Sequence, residues 1–132
     1  MARDIRAKGV SDEMSIYTVL DGIISGPMAS MGIQYRHETF DDPPEKYAVF
    51  SVISDVPGSF FAGENHRTDY RVQIDLVFPR GDRAGLYAAF QVLEAALRAG
   101  GARSQGNYAM ADDPEDGRPY IRKDYLITLW GE

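Results

Sequence analysis

Between Asp69 and Leu97 the chain carries an unbroken apolar–polar alternation, a turn and a helical apolar stripe. Tyr70, Val72, Ile74, Leu76 and Phe78 take every second position, with Arg71, Gln73 and Asp75 between them. Side chains on a strand alternate between its two faces, so this segment has one fully apolar face and one mostly polar face. Pro79 ends the strand, because it has no N–H to give to a ladder. Gly81 and Asp82 then supply a turn and a helix N-cap. In the following helix Leu86, Phe90, Leu93 and Leu97 are spaced four, three and four apart, which predicts one buried face. A sheet with a helix packed on one face is the unit this pattern demands. The opposite face is left to meet solvent or another protein.

At 132 residues the chain is of single-domain size. A chain this long buries roughly two-thirds of its unfolded surface, enough for a core without covalent staples. It has no cysteine, which removes disulfides and thiolate sites and fits a reducing cytoplasm. No apolar run approaches the ~18 residues of a membrane helix, and the start, Met1-Ala2-Arg3-Asp4-Ile5-Arg6, lacks the apolar stretch of a signal peptide. Fourteen basic residues against twenty acidic ones leave a net charge of −6. That balance disfavours nucleic-acid binding, which draws on phosphate neutralisation by a basic face.

Met1 to Ser11 shows no periodicity and reads as an N-terminal arm preceding a single domain over 12–132. Ser11 is a candidate N-cap, with Asp12 and Glu13 in the first helical turn. Ile16, Tyr17, Leu20, Ile23 and Ile24 follow a helical period, and Gly26-Pro27 is expected to end or kink that helix, with Met28 and Met31 continuing its apolar side through a loose last turn. Short strands are expected at Ile33–Glu38 and Tyr47–Ser54. The second is apolar in adjacent pairs, as in strands that are central or covered on both sides. Asp55–Thr68 is expected to be a connection, Arg103–Ala109 a weak strand, Asp112–Gly117 an acidic turn and Tyr120–Trp130 the last strand. The order is helix, three strands, helix, two strands. Its short links predict an α+β two-layer sandwich: a mainly antiparallel sheet of four to five strands with two helices on one face.

Chemical motifs are sparse. His37 and His66 are the only histidines, with Glu38, Asp41 and Glu64 nearby in sequence, but no helical His pair and no Cys completes a zinc pattern. Asp112-Asp113-Pro114-Glu115-Asp116-Gly117 places Gly sixth, as a calcium loop does, yet Pro114 stands at the third position and Lys123 at the twelfth. No Gly-x-Ser-x-Gly elbow occurs, and Gly100-Gly101 follows a helix, where glycine is the expected cap. The reading assigns no catalytic residue, no cofactor and no metal. Phe60 and Phe61 differ from the rest, since they lie between Gly58 and Gly63 in a connection. They either fold under it into the core or anchor a partner.

These patterns resemble the tail-completion or tail-terminator family of long-tailed bacteriophages and prophages. The residues that bear the resemblance are Tyr47-Ala48-Val49-Phe50, the stretch Gly58-Ser59-Phe60-Phe61-Ala62-Gly63-Glu64-Asn65, and the strand Tyr70-Arg71-Val72-Gln73-Ile74-Asp75-Leu76. A Gly-Asp turn, an amphipathic helix closing before Gly101 and a final strand over Tyr120–Trp130 complete it. Pro79 departs from the polar turn residue more usual there, and the N-terminal arm is additional. The resemblance implies a non-enzymatic virion subunit that forms a ring, usually a hexamer, on the head-proximal end of the tail tube. Its partners would be further copies of itself, the tail-tube protein and the head–tail connector proteins. It would reside in the virion tail, and in the host cytoplasm during assembly. Phe60, Phe61, Arg71, Gln73 and Asp75 are the expected partner-contacting residues. Two alternatives stay open: a head-closure or adaptor joining protein, which would bind the portal side, and a small α+β ligand-binding domain, which would need a pocket gathering the histidines and carboxylates.

Overall fold

A computed structural model describes residues 12–57 and 66–131. In chain order the elements are α1 (Asp12–Met31), β1 (Gln34–His37), β2 (Tyr47–Pro57), β3 (His66–Val77), α2 (Arg83–Ala99), β4 (Arg103–Asp112) and β5 (Pro119–Gly131). The five strands form one sheet in the order β1-β2-β3-β5-β4. Every neighbouring pair is antiparallel except β1 with β2, which run parallel. The fold is the α+β arrangement that the periodicities predict.

The alternation in β3 becomes a division of faces. Tyr70, Val72, Ile74, Leu76 and Phe78 are buried beneath the helices. Across the β3–β5 ladder the first four face Ile127, Tyr125, Lys123 and Ile121, and Phe78 follows just past the strand. The helices close the core from above. α1 buries Ile16, Leu20, Ile24 and Met28, a strict four-residue stripe, and α2 buries Leu86, Ala89, Phe90, Leu93 and Leu97. β2 adds Ala48 and Phe50.

The helix ends explain where the chain turns. Asp82 caps α2, its Oδ1 accepting from the Gly85 N–H at 3.0 Å. Both helices end in the same paired-bond motif. At α1 the Gly32 N–H bonds the Ala29 carbonyl and the Ile33 N–H bonds that of Met28. At α2 the Gly101 N–H bonds the Arg98 carbonyl and the Ala102 N–H bonds that of Leu97. The motif requires a left-handed residue just past the helix, and Gly32 (φ 69°) and Gly101 (φ 101°) supply it.

Two local expectations are revised: of the end or kink expected at Gly26-Pro27 the end does not occur, and Met28 continues the apolar side as expected. α1 runs through Gly26-Pro27 to Met31. A proline deletes one backbone bond, whereas the turn beyond it seats Met28 in the core and closes on Gly32, so tertiary burial outweighs the local break. The expected connection over Asp55–Thr68 is also shorter than its composition suggests. Asp55, Val56 and Pro57 pair with Tyr70, Asp69 and Thr68, so the β2–β3 hairpin extends into both ends of that segment. Proline tolerates the last position of a strand, where no further ladder bond is needed. The N-terminal arm, the Ser11 cap and the segment holding Phe60 and Phe61 lie outside the described residues. Among the described residues no helix is long and apolar enough to cross a membrane.

Candidate functional site

The sheet face turned away from the helices is the broad surface that no described element covers. Its side chains come from the odd-numbered positions of β3 and the facing positions of β5 and β2. Opposite Arg71, Gln73 and Asp75 stand Leu126, Asp124 and Arg122. The charges on this face answer one another. Arg122 Nε donates to Asp75 Oδ1 at 2.6 Å, and its Nη2 reaches Asp75 Oδ2 at 3.4 Å. Arg71 Nε donates to Asp124 Oδ2 at 3.1 Å, while Gln73 Nε2 donates to Asp124 Oδ1 at 3.3 Å. Further along, Arg103 Nη2 donates to Thr128 Oγ1 at 2.8 Å, and Thr128 donates to Asp69 Oδ1 at 2.6 Å.

These contacts change the reading of Arg71 and Asp75. They share a strand face, as the sequence predicts, but each is neutralised from β5 rather than standing ready for another molecule. The partners Asp124 and Arg122 lie some fifty residues away in sequence, so no local signal names them. Beside this face, Ile53 of β2 is 46% exposed, next to a register shift between Val52 and Ser54. β2 is interior to the sheet, and among the described residues only its helix-side face is covered.

A second polar cluster joins α1 to β1. Asp21 Oδ1 accepts from the Tyr35 hydroxyl at 3.0 Å and sits 2.9 Å from His37 Nε2. The Tyr17 ring packs on His37, centroid to centroid at 4.5 Å, and the Tyr17 hydroxyl donates to Glu38 Oε2. Glu38 holds φ at 75°, an uncommon value for a residue with a side chain, and its carboxylate also accepts from the Val52 N–H at 3.4 Å. Burial, reinforced by the Asp21 carboxylate, holds the Tyr35 phenol above its ordinary range. The cluster therefore ties helix to sheet edge with bonds that are all accounted for, apart from His37 Nδ1, which is buried with no partner among the described residues. His66 opens β3 at the far end of the same sheet, where it pairs with Gly131. Among the described residues no three His, Cys, Asp or Glu side chains gather to hold a metal.

The third cluster lies within the core. Lys123 falls on the helix side of β5 and is only 7% exposed. Its Nζ donates to Glu94 Oε2 at 2.8 Å, the Tyr125 hydroxyl donates to the same oxygen at 2.9 Å, and Arg98 lies 3.7 Å away. Burial alone raises the Glu94 carboxyl, but the hydrogen bonds from Lys123 and Tyr125 and the nearby charges outweigh it and leave Glu94 below the usual carboxylate range. Burial, with the Glu94 bond added, drives the Tyr125 phenol far upward. Sequence reading passes over Lys123, although its parity with Ile121 and Tyr125 was the available sign. The acidic segment Asp112–Gly117 is a turn: Asp113 Oδ1 accepts from the Glu115 and Asp116 N–H groups at 2.7 and 3.4 Å.

Compared with known proteins, the chain matches no family model and no curated protein.

Proposed function

We propose that this chain is a structural subunit of a phage tail, a ring-forming protein that caps the tail tube in the manner of the terminator family it resembles. What supports the reading is the uncovered sheet face. Two helices occupy one side of the sheet, and the other presents a broad surface whose six charged side chains, Asp69, Arg71, Asp75, Arg103, Arg122 and Asp124, are mutually neutralised. Such a surface suits a large protein contact, because its charges are already satisfied and need no new counter-ion when water leaves. Three arginines among these side chains add the residue type that interfaces favour. The polar clusters that look most like chemistry, Asp21–His37 and Glu94–Lys123, each join a helix to the sheet, a role that packing alone explains.

The experiment mixes the purified protein with polymerising tail-tube protein and measures tube length by electron microscopy. Wild type is expected to shorten tubes and leave ring-capped ends. Phe60→Ala/Phe61→Ala and Arg71→Glu are expected to weaken capping, the latter because it sets a third carboxylate beside Asp124 and Asp75. Tubes that grow unaffected by wild-type protein would refute the assignment, and equal capping by all variants would refute the surface.

A further inference from the structure

β1 pairs only with Tyr47–Phe50, the first residues of β2. From Ser51 to Pro57 β2 has β3 on one side and, among the described residues, no strand on the other. The chain leaves that edge at Glu38. The Glu38 N–H bonds the Phe50 carbonyl at 2.9 Å, and the Thr39 N–H then bonds the His37 carbonyl at 2.9 Å around Glu38 at φ 75°. This is the rare, strained form of the three-residue turn, in a conformation that glycine would hold without strain. The chain then heads back toward the start of β2, where the Phe40 ring packs on Tyr47 with centroids 5.4 Å apart. In a parallel ladder the residue whose N–H bonds Phe50 would take the Val52 N–H on its own carbonyl. Here the Glu38 carboxylate takes it instead, Oε2 accepting from Val52 at 3.4 Å and from the Tyr17 hydroxyl of α1.

We infer that Glu38 guards this edge: its carboxylate closes the outer side of β2 to strand addition by a second copy of the chain. The segment it guards has the composition that recruits other strands. From Tyr47 to Ser54 β2 carries no charge, no proline and no glycine, and Val49, Phe50, Val52 and Ile53 all favour strands. Ile53 is also the large apolar side chain left open there. Glycine at position 38 would relieve the turn, yet it would leave the Val52 N–H open to the next strand. The strained turn is what sets a carboxylate at that donor, and the Tyr17 hydroxyl anchors it from the helix layer. A charge on the edge and a bulge in it are two ways in which sheets resist edge-to-edge pairing. β2 has both, since its register shift between Val52 and Ser54 lies beside the Glu38 carboxylate. The guard belongs to the single chain and does not depend on the ring.

The test is Glu38→Ala in the full chain, which keeps the Cβ and removes the carboxylate. Glu38→Gly, which suits φ 75°, serves as a second variant in case the strained turn does not hold without its anchor. Far-ultraviolet circular dichroism reports folding, and sedimentation velocity with thioflavin fluorescence reports association. The variants are expected to fold and to form β-rich species larger than any in wild type, starting at a concentration at least about tenfold lower. Adding Ile53→Lys to Glu38→Ala returns a charge to the same edge and is expected to restore wild-type behaviour. Folded variants that associate no more than wild type would overturn the inference. Association that Ile53→Lys leaves unchanged would overturn it too, by placing the contact elsewhere. Loss of folding in both Glu38 variants would do the same, by making Glu38 a support of the fold rather than a guard of its edge.

Discussion

Removing Glu94 should cost more than removing Lys123, although the two form one ion pair. Glu94→Ala strips the only described acceptor from Lys123, which is 7% exposed, and from the Tyr125 hydroxyl. Breaking a buried pair this way leaves an uncompensated charge, at about 3–5 kcal/mol. The Glu94 side chain is 21% exposed, so water reaches part of the vacated space, and the lower end, about 3 kcal/mol, applies. Lys123→Met keeps the apolar stem and deletes the charge. Glu94 then still accepts from Tyr125, faces Arg98 and meets solvent, so the loss is about 1 kcal/mol. The double variant Lys123→Met/Glu94→Leu removes both charges together and should recover most of the single loss, ending within about 1 kcal/mol of wild type. Urea unfolding followed by far-ultraviolet circular dichroism gives the four free energies, and Glu94→Leu alone completes the double-mutant cycle. A Glu94→Ala loss under about 1 kcal/mol, or a double variant as unstable as the sum of the singles, would refute the claim that Lys123 is held in the core by this carboxylate.

Two further outcomes follow from the same packing. The folded Glu94 carboxyl lies below its usual range, so the folded state takes up its proton less readily than the unfolded chain does. Its stabilisation is therefore full above the unfolded carboxylate value of about 4.3 and fades as pH falls through the lower folded value; unfolding curves from pH 6 to 3 should show that loss in wild type and less of it in Lys123→Met/Glu94→Leu. Phe90→Ala and Leu93→Ala should each cost about 2–5 kcal/mol by thermal unfolding, since both side chains are almost wholly buried, and unchanged melting in both would contradict the placement of α2 on the sheet.

Much of the fold was legible because its signals are short-range. The alternation at Tyr70, Val72, Ile74 and Leu76 specifies a half-buried strand wherever the chain goes, and Leu86, Phe90, Leu93 and Leu97 specify a helix face. Asp82 as N-cap, and Gly100-Gly101 as the end of the second helix, follow from backbone bonds that any helix leaves open. The candidate surface was half legible. The polar parity of Arg71, Gln73 and Asp75 was visible, but their pairing with Arg122 and Asp124 was not.

That pairing exists only once β5 has been laid beside β3 in one register, and a shift of one residue would turn Arg122 and Asp124 to the other face. The same long-range placement puts Lys123 under α2 against Glu94, carries α1 through Pro27 because Met28 has a core to enter, and extends the β2–β3 hairpin into a segment with loop composition. It also sets β1 parallel to β2 at one edge and leaves β4 at the other. The sequence by itself determined the elements and their apolar faces, since those depend on neighbours within a few residues. Only the tertiary structure decided which charges meet and which edges stay outermost, because both are properties of strand order and register, to which residues far apart in the chain contribute jointly.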